Sequence, residues 1–192
     1  MTRCVRVVLA AAFVALLAAC HGSPSPALYT LAARPGLVIG RPVPSVAVRS
    51  VEIAKYLDRP QIVRRKNEYE LETSDFERWD EDFDDMVTRV LVENLSQRLP
   101  ASQVTMRASP VTTEAQMTLA VDIERFDADP GGRVILVAQW TLQRGARSGT
   151  VRLERIAVPA ASDAAIDLAA AMSDCLGQLS DRLAQAIAAS AG

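Results

Sequence analysis

Residues 116–158 read QMTLAVDIERFDADPGGRVILVAQWTLQRGARSGTVRLERIAV, and this stretch decides the fold. Three runs rich in apolar residues, Gln116–Phe126, Val134–Gln143 and Thr150–Val158, are separated by Asp129-Pro130-Gly131-Gly132 and by Gly145 to Gly149. Strands of this length joined by short glycine-bearing turns predict an antiparallel meander, because a tight turn returns the chain beside itself in the opposite direction.

On the C-terminal side, Asp163 to Ala189 is alanine-rich and helical in pattern. Leu168, Met172, Leu176, Leu179, Leu183 and Ile187 form one apolar stripe, and Asp167, Asp174, Gln178, Asp181, Arg182 and Gln185 mostly lie off it. On the N-terminal side, Val104 to Arg107 reads as a strand, preceded by a second helix. Its N-cap is expected at Asp80, with Glu81, Asp82, Asp84 and Asp85 favouring the helix dipole, and Phe83, Met86, Val87, Val90, Leu91, Leu95 and Leu99 following at helical spacing until Pro100. Gln61–Arg65 and Glu68–Thr73 predict a hairpin around Lys66-Asn67, and Val46, Val48, Val51 and Ile53 predict a single strand. Leu28 to Leu31 starts the fold as a short strand. The expected fold class is α+β: a mainly antiparallel sheet covered on one face by two amphipathic helices, a two-layer sandwich spanning 28–190 as one domain.

The first residues are of a different kind. Arg3 and Arg6 precede an uninterrupted apolar run from Val7 to Leu17, followed by Ala18, Ala19 and Cys20. That is the order of a secretory signal. As a helix the run would reach roughly 16 Å, well short of a ~30 Å hydrocarbon core. Leu17-Ala18-Ala19-Cys20 resembles a bacterial lipobox, so residues 1–19 are expected to be a lipoprotein signal peptide and Cys20 the lipid attachment residue. Acyl chains at about 0.8 kcal/mol per buried methylene would anchor the chain to membrane lipid. His21 stands where an Asp would mark inner-membrane retention, which directs the anchor to the outer membrane. Residues 20–27 form a short Pro/Ser tether.

Cys4 leaves with the signal and Cys20 is consumed by lipid, so Cys175 is left without an intrachain disulfide partner. It reads as a small core residue, with intermolecular pairing as the alternative. Losing Arg3 and Arg6 makes the net charge of −2 two units more negative. A mildly acidic chain with scattered cations argues against nucleic acid as a partner.

Little in the sequence carries chemistry. The only histidine, His21, lies in the tether, which excludes Ser-His-Asp and Cys-His mechanisms and the usual zinc sites. Gly131-Gly132 joins strands and opens no phosphate-binding helix. No cofactor is expected. The acidic run Asp75, Glu77, Asp80, Glu81, Asp82, Asp84 and Asp85 reads as a solvated helix start, with a cation site or a catalytic carboxylate pair as the sharper alternatives. Trp79 and Phe83, four apart, either staple the helix to the sheet or form an aromatic patch for a partner. The segment Tyr56-Leu57-Asp58-Arg59-Pro60-Gln61-Ile62-Val63 is a loop feeding a strand, read either as a proline-set turn or as a functional loop.

That segment, followed by Phe76-Glu77-Arg78-Trp79 and Val90-Leu91-Val92-Glu93-Asn94-Leu95 behind the lipobox, resembles the PqiC-like (YmbA-like) family of ABC-type transport auxiliary lipoproteins. The early Tyr29-Thr30-Leu31 fits the same pattern. Where members often carry a proline opening the helix, this chain has Asp82-Phe83. The resemblance implies a non-enzymatic outer-membrane lipoprotein facing the periplasm. Its implied partners are an MCE-domain protein and an inner-membrane permease complex that move lipid and keep the envelope intact. Tyr56, Asp58, Arg59, Pro60, Gln61, Phe76, Arg78 and Trp79 are then the candidate docking residues. Self-association through the final helix is a further expectation, set against the stripe simply covering the sheet.

Overall fold

The computed structural model describes residues 25–49, 51–106, 115–145, 149 and 151–191; the expected signal peptide and the expected lipid attachment residue Cys20 lie outside the described residues. Its elements run β1 (Ala27–Tyr29), β2 (Val46–Val48), β3 (Glu52–Ile53), β4 (Gln61–Arg65), β5 (Leu71–Trp79), α1 (Phe83–Arg98), β6 (Val104–Met106), β7 (Met117–Ala128), β8 (Arg133–Arg144), β9 (Val151–Pro159) and α2 (Ala165–Ser190). The expected meander is present: β7 pairs antiparallel with β8, and β8 with β9, over almost their full lengths. Its first turn is set by Asp129, whose Oδ1 accepts the Gly131 and Arg133 N–H groups at 2.9 and 3.0 Å. Gly132 follows at φ 74°, a conformation that a side chain would strain.

β7 contains a register shift between Ile123 and Arg125. Before it, Met117, Leu119, Val121 and Ile123 face the helices; after it, Phe126 and Ala128 do. The extra residue switches parity, so the apolar positions stay on the core face while Arg125 and Asp127 turn to the helix-free face.

The other edge of β7 corrects the expectation of one strand over Val46–Ile53. Two short strands run parallel to β7 there, with Val46 opposite Met117 and Ile53 opposite Ile123. Between them the Val51 N–H leaves the sheet for the Thr88 hydroxyl, 3.1 Å away on α1. The chain then loops out through residues 54–60 and returns to β7 as β4, with Arg64 opposite Ala128. The sheet is thus mixed: its long pairings are antiparallel, and short parallel pairings join β2, β3 and β4 to β7, β2 to β6 and β1 to β5.

The β4–β5 hairpin forms as expected, but β5 continues past Thr73 to Trp79, so Phe76–Trp79 belong to a strand. The Asp80 N–H then donates to the Tyr29 carbonyl at 3.0 Å, completing the sheet. For that reason α1 begins at Phe83, with Asp82 and not Asp80 at the N-cap.

Both helices lie on one face. The α2 stripe from Leu168 to Ile187 is buried, so it covers the sheet and packs on α1, as the plainer of the two readings held. The helices are joined through Arg98, which is 1% exposed. Its Nε donates to Asp181 at 2.7 Å, and its other nitrogens reach the carbonyls of Arg34, Asn94 and Gly177. Gly36 passes so close that a Cβ there would sit 2.0 Å from the guanidinium. Cys175 is buried, its thiol pushed up to about 12 by burial and then by Asp174, which makes it an inert core residue.

Candidate docking site

The loop 54–60 leaves β7 without a backbone partner between Ile123 and Ala128 on that edge, and the sequence fills the gap with Tyr56. The Phe126 N–H donates to the Tyr56 hydroxyl at 3.3 Å, and the hydroxyl donates to Asp127 Oδ2 at 2.7 Å. This satisfies a strand N–H that would otherwise be orphaned. Burial first, and the bond to Asp127 second, push the Tyr56 hydroxyl up to about 12.

Asp127 is fully buried and is neutralised from two sides. Arg65 Nη2 lies 3.0 Å from Oδ2 and Arg125 Nη2 lies 2.8 Å from Oδ1. The Arg65 guanidinium also stands over the Tyr56 ring, 6.0 Å from its centre. The cluster works as a clamp: Tyr56 is held from below, and Leu57 is buried beside it. The next three residues, Asp58, Arg59 and Pro60, are exposed.

The two motifs singled out in the sequence meet here. The Trp79 N–H donates to the Pro60 carbonyl at 2.7 Å, and Gln61 is the register partner of Arg78. Between Arg78 and Thr73, β5 carries more residues than β4 does between Gln61 and Val63, so Ser74–Glu77 bulge outward. The bulge is braced by Arg78 Nε donating to the Asp75 carbonyl at 2.9 Å and by Gln61 Nε2 donating to Asp75 Oδ1 at 3.1 Å. At its crest Phe76 is 52% exposed.

Trp79 is a different matter. It is buried, stacks on Phe83 at 5.1 Å, and Phe83 meets Phe126 at 5.8 Å. It therefore staples α1 to the sheet and presents no ring to a partner, which decides between the two readings of this pair. Of the candidate residues, the structure gathers Asp58, Arg59, Pro60 and Phe76 on the surface, half-buries Gln61 and Arg78, and uses Tyr56 and Trp79 beneath them.

The sequence reading missed Arg65, Arg125 and Asp127. The available signal was the apolar parity of β7, which changes at Glu124 and marks a bulge. The acidic run does not converge: Asp80, Glu81, Asp82 and Asp85 are exposed at the helix start, Glu81 pairs with Arg89, and no metal-holding group exists among the described residues. A cleft of about 540 Å³ lies between the hairpin and α2, lined by Arg64, Glu72, Glu77 and Asp163 among others. There Arg64 bonds Glu77 at 2.7 Å and the Asp163 carbonyl at 3.2 Å.

The chain is thus a two-layer α+β domain in which an exposed loop and a strand bulge sit above a buried ionic clamp. The chain belongs to the family of ABC-type transport auxiliary lipoprotein components, whose model matches residues 29–184. A solved structure described only as an uncharacterized protein is similar at 21% identity and TM-score 0.72, covering 85% of this chain and 99% of that one. A Xanthomonas campestris protein is similar at 21% identity and TM-score 0.68, covering 82% of this chain and 92% of its own. These likenesses show the fold. Among curated proteins, none matches. No helix among the described residues is long and apolar enough to cross a membrane.

Proposed function

We propose that this chain is a non-enzymatic docking subunit, anchored through acylated Cys20 in the outer membrane and facing the periplasm. In this reading it receives an MCE-domain protein and the inner-membrane permease complex of a lipid transport system that supports envelope integrity. One observation carries the proposal: the loop before β4 and the bulge of β5 meet at the base of the hairpin through the Pro60–Trp79 backbone bond, and they leave Asp58, Arg59, Pro60 and Phe76 exposed above a buried ionic clamp. Exposed charged and aromatic groups on a rigid base suit recognition. A hydrolase reading would need two carboxylates of separated pKa in a cleft; from the acidic run Glu77 lines the cleft but is paired with Arg64 at 2.7 Å, while Asp80, Glu81, Asp82 and Asp85 lie exposed at the helix start.

The test is the double variant Arg59→Ala with Phe76→Ala. It should fold with stability within about 0.5 kcal/mol of the parent, since both side chains are exposed, and it should lose transporter-dependent resistance to envelope stress. Full complementation by the folded variant contradicts the proposal.

A further inference from the structure

The β4–β5 hairpin ends in a turn that exposes a large aromatic side chain with no structural need for it. Tyr69 is 93% exposed. The turn beneath it is nevertheless well tied: Asn67 Oδ1 accepts the Tyr69 and Glu70 N–H groups, both at 2.9 Å, and Lys66 bridges Glu70 at 2.8 Å. The ring is therefore held out from an ordered base.

The topology says which way the tip points relative to the anchor. β1 runs parallel to β5, with Ala27 opposite Glu77 and Tyr29 opposite Trp79. The chain before Ala27 thus arrives from the side on which β5 begins, which is the side of the hairpin tip. Along β4, the four steps from Gln61, beside Arg78, to Arg65, beside Leu71, rise about 13 Å. The seven steps from Cys20 to Ala27 reach at most about 25 Å. A tether of that length allows the lipidated residue to lie level with the tip or just beyond it.

We propose that the hairpin tip rests on the bilayer that carries the Cys20 anchor, with the Tyr69 ring at the level of the phospholipid headgroups. The proposal rests on the anchor reading above. A tyrosine suits this depth, having an apolar ring and a hydroxyl that seeks water. Glu68 stands beside it and Lys66 is already paired with Glu70, so the contact is shallow: a carboxylate is costly in the acyl region. The affinity comes from the anchor. A short tether makes the second contact intramolecular, so one ring is enough to orient the domain.

The test uses the mature lipidated chain carrying Tyr69→Trp in vesicles of phosphatidylethanolamine and phosphatidylglycerol. The native Trp79 and Trp140 are buried and give the baseline. The added indole emission is expected to shift to the blue and to be quenched by phospholipid brominated near the headgroup end. The same substitution in a Cys20→Ser chain should emit as in water. Acylated, vesicle-bound protein whose added emission stays water-like overturns the proposal. A blue shift in the lipid-free variant that grows with protein concentration overturns it too, by showing that a second copy covers the tip. Absence of acyl mass on Cys20 together with failure to float with vesicles overturns the anchor itself, a failure read independently of the fluorescence.

Discussion

Replacing Asp127 by Asn tests whether the ionic clamp is what shapes the docking loop. The substitution keeps the side-chain size and one acceptor for the Tyr56 hydroxyl, but it leaves Arg65 and Arg125 facing each other without the buried carboxylate between them. Breaking a fully buried pair costs about 3–5 kcal/mol. Here the arginine side chains are 23% and 25% exposed and regain part of their hydration, which places the loss near the low end, about 3 kcal/mol. In a domain of this size that is a fall in Tm of roughly 6–12 °C. Urea denaturation of the purified mature chain measures the loss. Hydrogen exchange should locate it at the Leu57 and Arg59 amides, whose bonds to the Ala54 and Leu57 carbonyls close the loop. A stability loss under about 0.5 kcal/mol, the size of an ordinary surface change, with unaltered loop exchange would refute the clamp.

The other predictions concern the same region. Phe83→Ala removes the ring between Trp79 and Phe126 and should cost about 3–5 kcal/mol, with loss of the near-ultraviolet signal of a packed tryptophan; a loss under about 1 kcal/mol would mean that the staple is not needed. Tyr56 is held neutral in the fold up to about 12, against about 10 in an unfolded chain. Its stabilisation is therefore whole below pH 10 and is lost as pH rises from about 10 to 12. Denaturant unfolding of wild type and Tyr56→Phe should show a gap that narrows across that window, and a constant gap contradicts the assignment.

The meander was legible because Asp129-Pro130-Gly131-Gly132 can only turn, and the helices because their stripes keep a 3.6-residue period. The limits of the sequence reading are equally physical. Val46 to Ile53 alternates well enough to look like one strand; the break depends on Thr88, on a helix 37 residues away, taking the Val51 N–H. Asp80 resembles an N-cap by residue type, yet the sheet claims its N–H through Tyr29. The exposed loop residues were visible as an unusual polar mixture, whereas the clamp beneath them joins Arg65 to Asp127 across 62 positions, a pairing that no local pattern encodes. Trp79 read as a staple to the core with a partner patch as the sharper alternative, and its stack on Phe83 decides for the core.

The central claim is that the surface above the clamp is where another envelope component docks. A photo-crosslinking residue placed at Arg59 in the lipidated chain, in living cells, tests it most directly, with the same residue at the exposed Glu124 on β7 as the control. The account predicts a covalent adduct with an MCE-domain or permease subunit from Arg59 and none from Glu124. Equal capture from both positions, or no such subunit captured from Arg59, would contradict it.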